Sequence, residues 1–217
     1  MPRKPLIRST EYPYHVTARC NNKEHFPIPI YDVWAIVSAE INVIVEKFGC
    51  EIHAFVLMPN HFHLLITTPA EGLGVVMQAF MLSVTKKINV SSGRTGRVFG
   101  GRYHGSLIDN EHYFDCALKY VYRNPVKAKL SNSVETYPFS TIQDLLKDSF
   151  FEFPLKPPSG HQSLIPEKNV SDFLGWLNLP FPNEQDLAIK GAFKKTRFVP
   201  NKSGWKQVKA KIVDQGH

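Results

Sequence analysis

The sequence has few cysteines, no long apolar run and no apolar leader at its N-terminus. Cys20, Cys50 and Cys116 lie far apart, are odd in number and show no CxxC spacing, which argues against a disulfide framework and a zinc cluster. No stretch approaches the roughly 18 apolar residues that a membrane helix needs. The opening MPRKPLIRSTEYPYH has basic residues but no apolar centre typical of a secretion signal. We therefore expect a protein of the reducing cytoplasm.

Positive charge is what the sequence does have, and it is concentrated in two blocks. The 217 residues carry a formal net charge of +7. Residues 86–130 hold nine Lys and Arg against three Asp and Glu, and residues 190–217 hold eight against one. Clustered Lys and Arg attract phosphate backbones, although a solvated surface would show the same composition. The hydrophobic fraction of 43% indicates a folded, packed chain.

Hydrophobic periodicity predicts an α+β, ferredoxin-like fold. The predicted order is strand 12–20, helix 31–49, strand 50–58, strand 61–68, helix 73–90, strand 103–109 and a third helix 111–124. This β-α-β-β-α-β order is typical of an antiparallel sheet with two helices on one face. Pro125 is expected to end the added C-terminal helix, because proline disfavours helical geometry in the residue before it.

Prolines divide the last third of the sequence into short apolar pieces such as FLGWLNL (173–179). We therefore assign residues 1–140 to one domain and residues 141–217 to an irregular C-terminal extension that ends in a basic tail.

Two histidines interrupt the apolar stretch FVLMPNHFHLLIT (55–67). On a strand, His61 and His63 share one face and lie about 7 Å apart, so both imidazoles can reach one cation. The spacing alone is also compatible with hydrogen-bonded core histidines. His15, His53 and His104 have no partner at ligand spacing in the sequence, and we interpret them as structural.

The stretch KYVYRNPVKAKL (119–130) places a tyrosine and an asparagine on one face of the predicted helix. Tyr120 and Asn124 are four residues apart and are therefore neighbours. The phenol is a possible nucleophile, and the amide oxygen is a possible hard metal ligand. Tyr122 lies about 200° around the helix from Tyr120 and cannot share its role. A packing role for Tyr120 is the alternative.

Four stretches resemble the single-tyrosine HUH transposases of insertion sequences, in particular the REP-associated tyrosine transposases. They are YHVTARCNN (14–22), FVLMPNHFHLLI (55–66), GRVFGGRYHGSLID (96–109) and YVYRNPVKA (120–128). The resemblance implies that residues 1–140 form an HUH transposase domain in which Tyr120 attacks single-stranded DNA beside a hairpin. The products would be a 5′-phosphotyrosine and a free 3′-hydroxyl. The resemblance also implies that His61, His63 and Asn124 hold Mg²⁺ or Mn²⁺.

This resemblance also gives the basic residues a partner, single-stranded DNA with a hairpin. Arg19 matches an arginine of the family, and the central basic block is expected to contact phosphates without reading sequence. The expected DNA-binding residues are Arg19, Lys87, Arg97, Arg102, Lys119, Arg123 and Lys127. Phe99 and Tyr103 are candidates for base stacking, although relatives usually carry Trp-Gln where this chain has Phe99-Gly100.

Other functions fit parts of the sequence. A domesticated module that binds single-stranded nucleic acid would keep the fold and the charge but would not need the His, Tyr and Asn set. A metal-dependent hydrolase would need a general base, and neither motif contains a carboxylate. The expected location is the cytoplasm, in association with the nucleoid. Both a monomer and a homodimer remain open.

Overall fold

The computed structural model describes residues 6–146, 153–161, 163–164 and 169–200. Its strands are β1 (Tyr14–Arg19), β2 (Glu51–Met58), β3 (His61–Thr67) and β4 (His104–Leu107). Its helices are α1 (Ile30–Phe48), α2 (Leu73–Ser92), α3 (Glu111–Lys127), α4 (Ile142–Leu145), α5 (Val170–Asn178) and α6 (Asn183–Phe193). Short 3-10 turns occupy Asn21–Lys23 and Val134–Thr136. The predicted β-α-β-β-α-β order, with one further helix after it, is confirmed.

The four strands form an antiparallel sheet in the order β2-β3-β1-β4. Side chains alternate between the two faces of a strand. One face contributes Val16, Leu64 and neighbouring residues to a core that α1 and α2 cover. The other face contributes Val56 and Leu65 to a second core under α3. The sheet therefore lies between two helical layers, and the candidate histidines belong to the α3 side.

Helix α1 ends where the sequence predicts. Gly49 follows its last residue with φ 63°, in the left-handed region, and its N–H donates to the carbonyl of Val45. Glycine adopts this conformation at no steric cost.

Helix α3 continues through Pro125 to Lys127, so the prediction that Pro125 ends this helix is wrong. Proline has no N–H to donate to the carbonyl four residues earlier, which is that of Val121. The side-chain amide of Asn124 lies 3.4 Å from this oxygen and 2.8 Å from the carbonyl oxygen of Tyr120. The carbonyl of Pro125 accepts a hydrogen bond from the N–H of Leu130. The side chain of Asn124 thus reaches the carbonyl oxygen of Val121, which proline leaves without a backbone N–H.

The C-terminal extension packs onto α3 and contains the three helices α4, α5 and α6. All of FLGWLNL except its last residue, Leu179, lies in α5, and Phe173, Leu177 and Ile189 are buried in the same core as Val121 of α3. The other described residues of the extension are mostly irregular, as the prolines predict. Most of the basic tail, from residue 201 onwards, lies outside the described residues.

Segments from the last third of the chain also run along both outer strands of the sheet. Beside β2, the N–H of Thr141 donates to Phe55 and that of Lys156 donates to Ile52. Beside β4, the N–H of Phe198 donates to the carbonyl of Leu107. Among the residues that the structure describes, no helix is long and apolar enough to cross a membrane.

Candidate active site

The two histidines of the HFH motif begin β3 and project from the same face of the sheet. Their ring centroids lie 5.0 Å apart. Nδ1 of His61 lies 2.6 Å from Oδ1 of Asn60, and an amide oxygen only accepts, so Nδ1 donates and Nε2 keeps its lone pair. Nδ1 of His63 is hydrogen-bonded at 2.9 Å to Nε2 of His15. Each imidazole therefore uses Nδ1 within the protein and has Nε2 as its second ring nitrogen.

The structure brings Tyr120 to these histidines from a distant part of the sequence. Its ring centroid lies 5.9 Å from that of His63 and 6.2 Å from that of His15, nearly perpendicular to both. Tyr122, two residues further on, is buried, with its hydroxyl 3.2 Å from Oγ1 of Thr141. Tyr120 and Tyr122 therefore point in different directions from α3, as their spacing in the sequence predicts.

Asn124 lies one turn beyond Tyr120 on α3 and is half-buried. Because its Nδ2 donates to the carbonyl of Tyr120, the side-chain amide is oriented and Oδ1 is its remaining polar atom. No group of three His, Cys, Asp or Glu side chains within the described ranges is placed to hold a metal ion. A metal site built on His61 and His63 therefore needs an oxygen of another kind, such as that of Asn124.

Burial keeps the site's histidines neutral and its tyrosine protonated. Burial, with the charge of Arg19, lowers the pKa of His61 to about 4, and the pKa of His63 lies well below its ordinary value for the same leading reason. Burial raises the pKa of Tyr120 to about 12; Asp186 raises it further, and Arg19 lowers it. Neutral imidazoles are the form that binds metal ions, whereas the phenol needs activation before it can attack.

His15 belongs to this site, which the sequence does not reveal. It sits on β1, opposite Leu65, and therefore reaches His63 diagonally across the β1–β3 pair. Sequence spacing cannot show a diagonal contact because the register of the two strands is unknown at that stage. His53 is structural as interpreted, since its ring nitrogens bond to the carbonyl of Lys156 and the hydroxyl of Thr67.

Phe193, the last residue of α6, covers the site. Its ring centroid lies 4.0 Å from that of His15 and 4.9 Å from that of Tyr120. Its carbonyl oxygen is 2.6 Å from Nε2 of His104 on β4. The C-terminal extension therefore contacts the candidate nucleophile directly, which its proline-rich sequence gives no means of predicting.

Five of the seven basic residues expected to contact DNA have partners within the protein. Nη2 of Arg102 lies 3.5 Å from the hydroxyl of its neighbour Tyr103, and the other four contact residues distant in the sequence. Lys119 is buried, with its ammonium 4.9 Å from the ring centroid of Trp176. Arg123 donates to the carbonyl of Leu177 at 2.9 Å. The two remaining contacts are the ion pairs Lys127–Asp186 and Lys87–Glu40. Three of these four partners belong to the C-terminal extension.

Arg19, Arg97 and Arg102 are exposed. Arg19 lies opposite His61 in the β1–β3 pair, next to the candidate site. The two aromatic candidates for base stacking, Phe99 and Tyr103, are only 5% and 8% exposed.

The sequence profile of the family described as "Transposase IS200 like" matches residues 9–124. This range is more than half of the chain and contains the HFH motif, Tyr120 and Asn124. The chain belongs to the IS200-like transposase family. The family resemblance in the sequence motifs is thereby confirmed, and the chain is a transposase, an enzyme that acts on DNA.

Two solved structures resemble this transposase. One is a REP-associated tyrosine transposase bound to a REP hairpin, at 18% sequence identity and a TM-score of 0.56, with 75% of this chain and 99% of that chain covered. This likeness concerns the fold. The other, provisionally named a transposase, is from Deinococcus radiodurans R1, at 17% identity and a TM-score of 0.38, covering 56% of this chain and 94% of that chain. No curated protein matches the sequence.

Proposed function

We propose that this transposase cleaves and rejoins single-stranded DNA next to hairpins through a 5′-phosphotyrosine at Tyr120. The observation that carries the proposal is the position of Tyr120 beside His63, which the fold brings together from α3 and β3. A second support is the shared fold of a transposase that binds a REP hairpin. We assign this activity to residues 1–140, with residues 141–217 as an extension, and expect it in the cytoplasm at the nucleoid.

The proposed step exchanges one phosphodiester for another. The oxygen of Tyr120 attacks phosphorus, and a bond forms between them while the bond from phosphorus to the 3′-oxygen breaks. The phenol loses its proton and the departing 3′-oxygen gains one, so the products are a 5′-phosphotyrosine and a 3′-hydroxyl. Because the new ester keeps the energy of the old one, a second 3′-hydroxyl can reverse the step without ATP.

The donor chemistry of three side chains suits a divalent cation. His61 has a free Nε2 lone pair, the buried His63 is neutral, and Asn124 contributes an amide oxygen; these three would hold Mg²⁺ or Mn²⁺. Such an ion supplies positive charge that polarises the scissile phosphate. The chain's own part is to orient the phenol and to bring Arg19, whose charge lowers the pKa of both His61 and Tyr120, to the site.

A covalent-capture assay tests the proposal. Single-stranded oligonucleotides that contain hairpins and their flanks are incubated with Mn²⁺ and the protein, and the products are separated on a denaturing gel. We expect an adduct that a chelator and Tyr120→Phe abolish. Tyr113→Phe, on the same helix, is the matched control and is expected to retain the adduct. An adduct that survives Tyr120→Phe would contradict the assignment of the nucleophile.

A module that binds single-stranded nucleic acid without strand transfer is the second candidate. One observation favours it: Phe193 packs against Tyr120, so the phenol is largely covered by the chain itself. In the same assay, strands that bind without forming an adduct in Mn²⁺ or Mg²⁺ would favour this candidate over the enzyme.

A further inference from the structure

Two adjoining cavities form a groove beside the candidate active site, which we call the basic groove. The first, about 730 Å³, is lined by Arg19, Lys23, Arg102 and His104 among others. The second, about 630 Å³, continues from Arg102 and His104 to Lys194, Lys195 and Arg197. Arg102 and His104 line both cavities, so the groove runs from β1 across β4 to the C-terminal extension.

We propose that the basic groove binds the sugar–phosphate backbone of the single strand that flanks the hairpin, with Lys194, Lys195 and Arg197 of the extension as part of the binding surface. This inference rests on the proposed function, because it assigns a path to the DNA of that same site. It gives the C-terminal extension a direct part in holding the substrate.

The cations of the groove face solvent. Arg19, Lys23, Arg102 and both lysines of the extension are exposed, as is Arg197, which is paired with Asp109. The ammonium of Lys195 donates to the carbonyl of Val199, a contact that holds the side chain without neutralising its charge by an acid. Clustered and exposed cations are the arrangement that releases counterions when a phosphate backbone binds.

The position of the groove connects it to the chemistry. At one end, Arg19 lies directly opposite His61 in the β1–β3 pair. Near its middle, His104 is hydrogen-bonded to the carbonyl of Phe193, whose ring contacts Tyr120. A strand in the groove therefore passes both the histidine pair and the residue that covers the phenol.

The extension forms its side of the groove because it is attached to β4. The N–H of Leu107 donates to Thr196 and the N–H of Phe198 donates to Leu107, at 2.9 and 2.8 Å. These backbone bonds hold the KKTR segment (194–197) beside the strand. The walls also include Leu6, Tyr103 and Val199, which are apolar surfaces suited to sugars and bases rather than to a small anion.

The test compares two DNA probes and two double variants by fluorescence anisotropy. The probes are a hairpin with a single-stranded flank and the same hairpin without it. Lys194→Glu with Lys195→Glu alters the groove, and Lys194→Ala with Lys195→Ala removes the charges without reversing them. Lys47→Glu with Lys156→Glu, two exposed lysines on α1 and beside β2 at the other edge of the sheet, is the matched control.

We expect the Glu pair to weaken binding of the flanked probe at least about tenfold between about 50 and 200 mM salt, with a salt slope lower by about 1.4 for two lost single-strand contacts. The Ala pair should lower the slope similarly, while the unflanked hairpin and the Lys47/Lys156 control stay within about threefold. Equal losses for both probes, or no loss for the flanked one, would overturn the inference.

Covalent capture with the unaltered protein separates the groove proposal from the proposed function. Flank binding that depends on the groove but yields no adduct would overturn the proposed chemistry and support the groove.

Discussion

At the residue scale, the hydrogen bond between His15 and His63 controls which nitrogen of His63 can bind a metal. If Nδ1 of His63 donates, its Nε2 keeps a lone pair, and His15 must carry its own proton on Nδ1. That nitrogen is buried and has no hydrogen-bond partner within the described residues. If His15 donates instead, His63 carries its proton on Nε2, which then cannot bind a cation. His15 is therefore placed to select the tautomer of His63.

Replacing His15 tests this role. We expect His15→Phe, which keeps a ring against Phe193, to weaken Mn²⁺ binding by about 10- to 100-fold, as loss of a ligand's hydrogen-bond partner does elsewhere. His15→Gln, whose amide oxygen accepts from Nδ1 of His63, should bind Mn²⁺ more tightly than His15→Phe. Isothermal titration of the metal alone gives both values. Equal affinities for the two variants would contradict the role.

His53 makes the stability of the fold depend on pH. Burial lowers the pKa of His53 to about 4, partly opposed by its hydrogen bond to Lys156. The unfolded chain takes up a proton near pH 6.5 and the folded chain does not, so its contribution is complete above pH 6.5 and is lost as pH falls toward 4. We expect His53→Gln to reduce the loss of unfolding free energy between pH 7 and pH 5 by about 2 kcal/mol. Urea unfolding at both pH values measures it.

The exposed His25 provides the control for this measurement. His25→Gln should leave the difference between pH 7 and pH 5 as it is in the unaltered protein. A pH dependence that His53→Gln does not change would show that other groups account for it.

At the element scale, α6 lies where a substrate would meet α3. Its last residue, Phe193, packs against Tyr120 and His15, and its Asp186 pairs with Lys127 of α3. The same helix therefore covers the phenol and neutralises a cation of the helix that carries the candidate nucleophile. DNA that reaches Tyr120 has to displace this side chain.

Phe193→Ala should expose Tyr120. We expect faster nitration of Tyr120 by tetranitromethane, measured by peptide mass spectrometry, because the ring that covers the phenol is removed. The buried aromatic also stabilises the fold, so the free energy of unfolding should fall by about 3–5 kcal/mol. Leu187→Ala, at an exposed position of the same helix, should change neither quantity. An unchanged nitration rate for Phe193→Ala would show that the phenol is already accessible.

The sequence predicts best the helices and strands that bury one face, because burial of one face produces a regular spacing of apolar residues. The sheet, α1 and α2 are confirmed within a few residues because each has an apolar face and a clear stop such as Gly49. Pro125 misled the prediction, since the side chain of Asn124 supplies hydrogen bonds that no local rule anticipates. The burial of Lys119 against Trp176 could not be predicted from the sequence either, because it depends on packing between segments distant in the chain.

At the scale of the whole molecule, the proposed domain boundary at residue 140 crosses a shared core. Val121 of α3 and Val56 of β2 are buried together with Phe173 and Ile189 of the extension. Residues 1–140 alone would expose the apolar side of α3. The division into a transposase domain and an extension therefore describes sequence and proposed function better than it describes folding units.

Truncation measures this dependence. A chain that ends at residue 168 should bind the dye ANS and melt at a lower temperature than the full chain, because the core under α5 and α6 is exposed. A chain that ends at residue 200 keeps every described residue and is the reference for this comparison. A truncated 1–168 chain that melts at the same temperature without binding ANS would establish that residues 1–168 are stable without α5 and α6.

The segments that run along β2 and β4 also affect whether the outer strands of the sheet can pair with another chain. An uncovered outer strand offers its N–H and C=O groups to any extended chain and invites aggregation. Here Thr141 and Lys156 occupy those groups on one side and Phe198 does so on the other. All three come late in the chain, so during synthesis the sheet has bare edges until its last third emerges from the ribosome. The extension thus prevents the sheet from pairing with strands of other molecules. The nascent chain is most prone to aggregate just before the extension packs against the sheet.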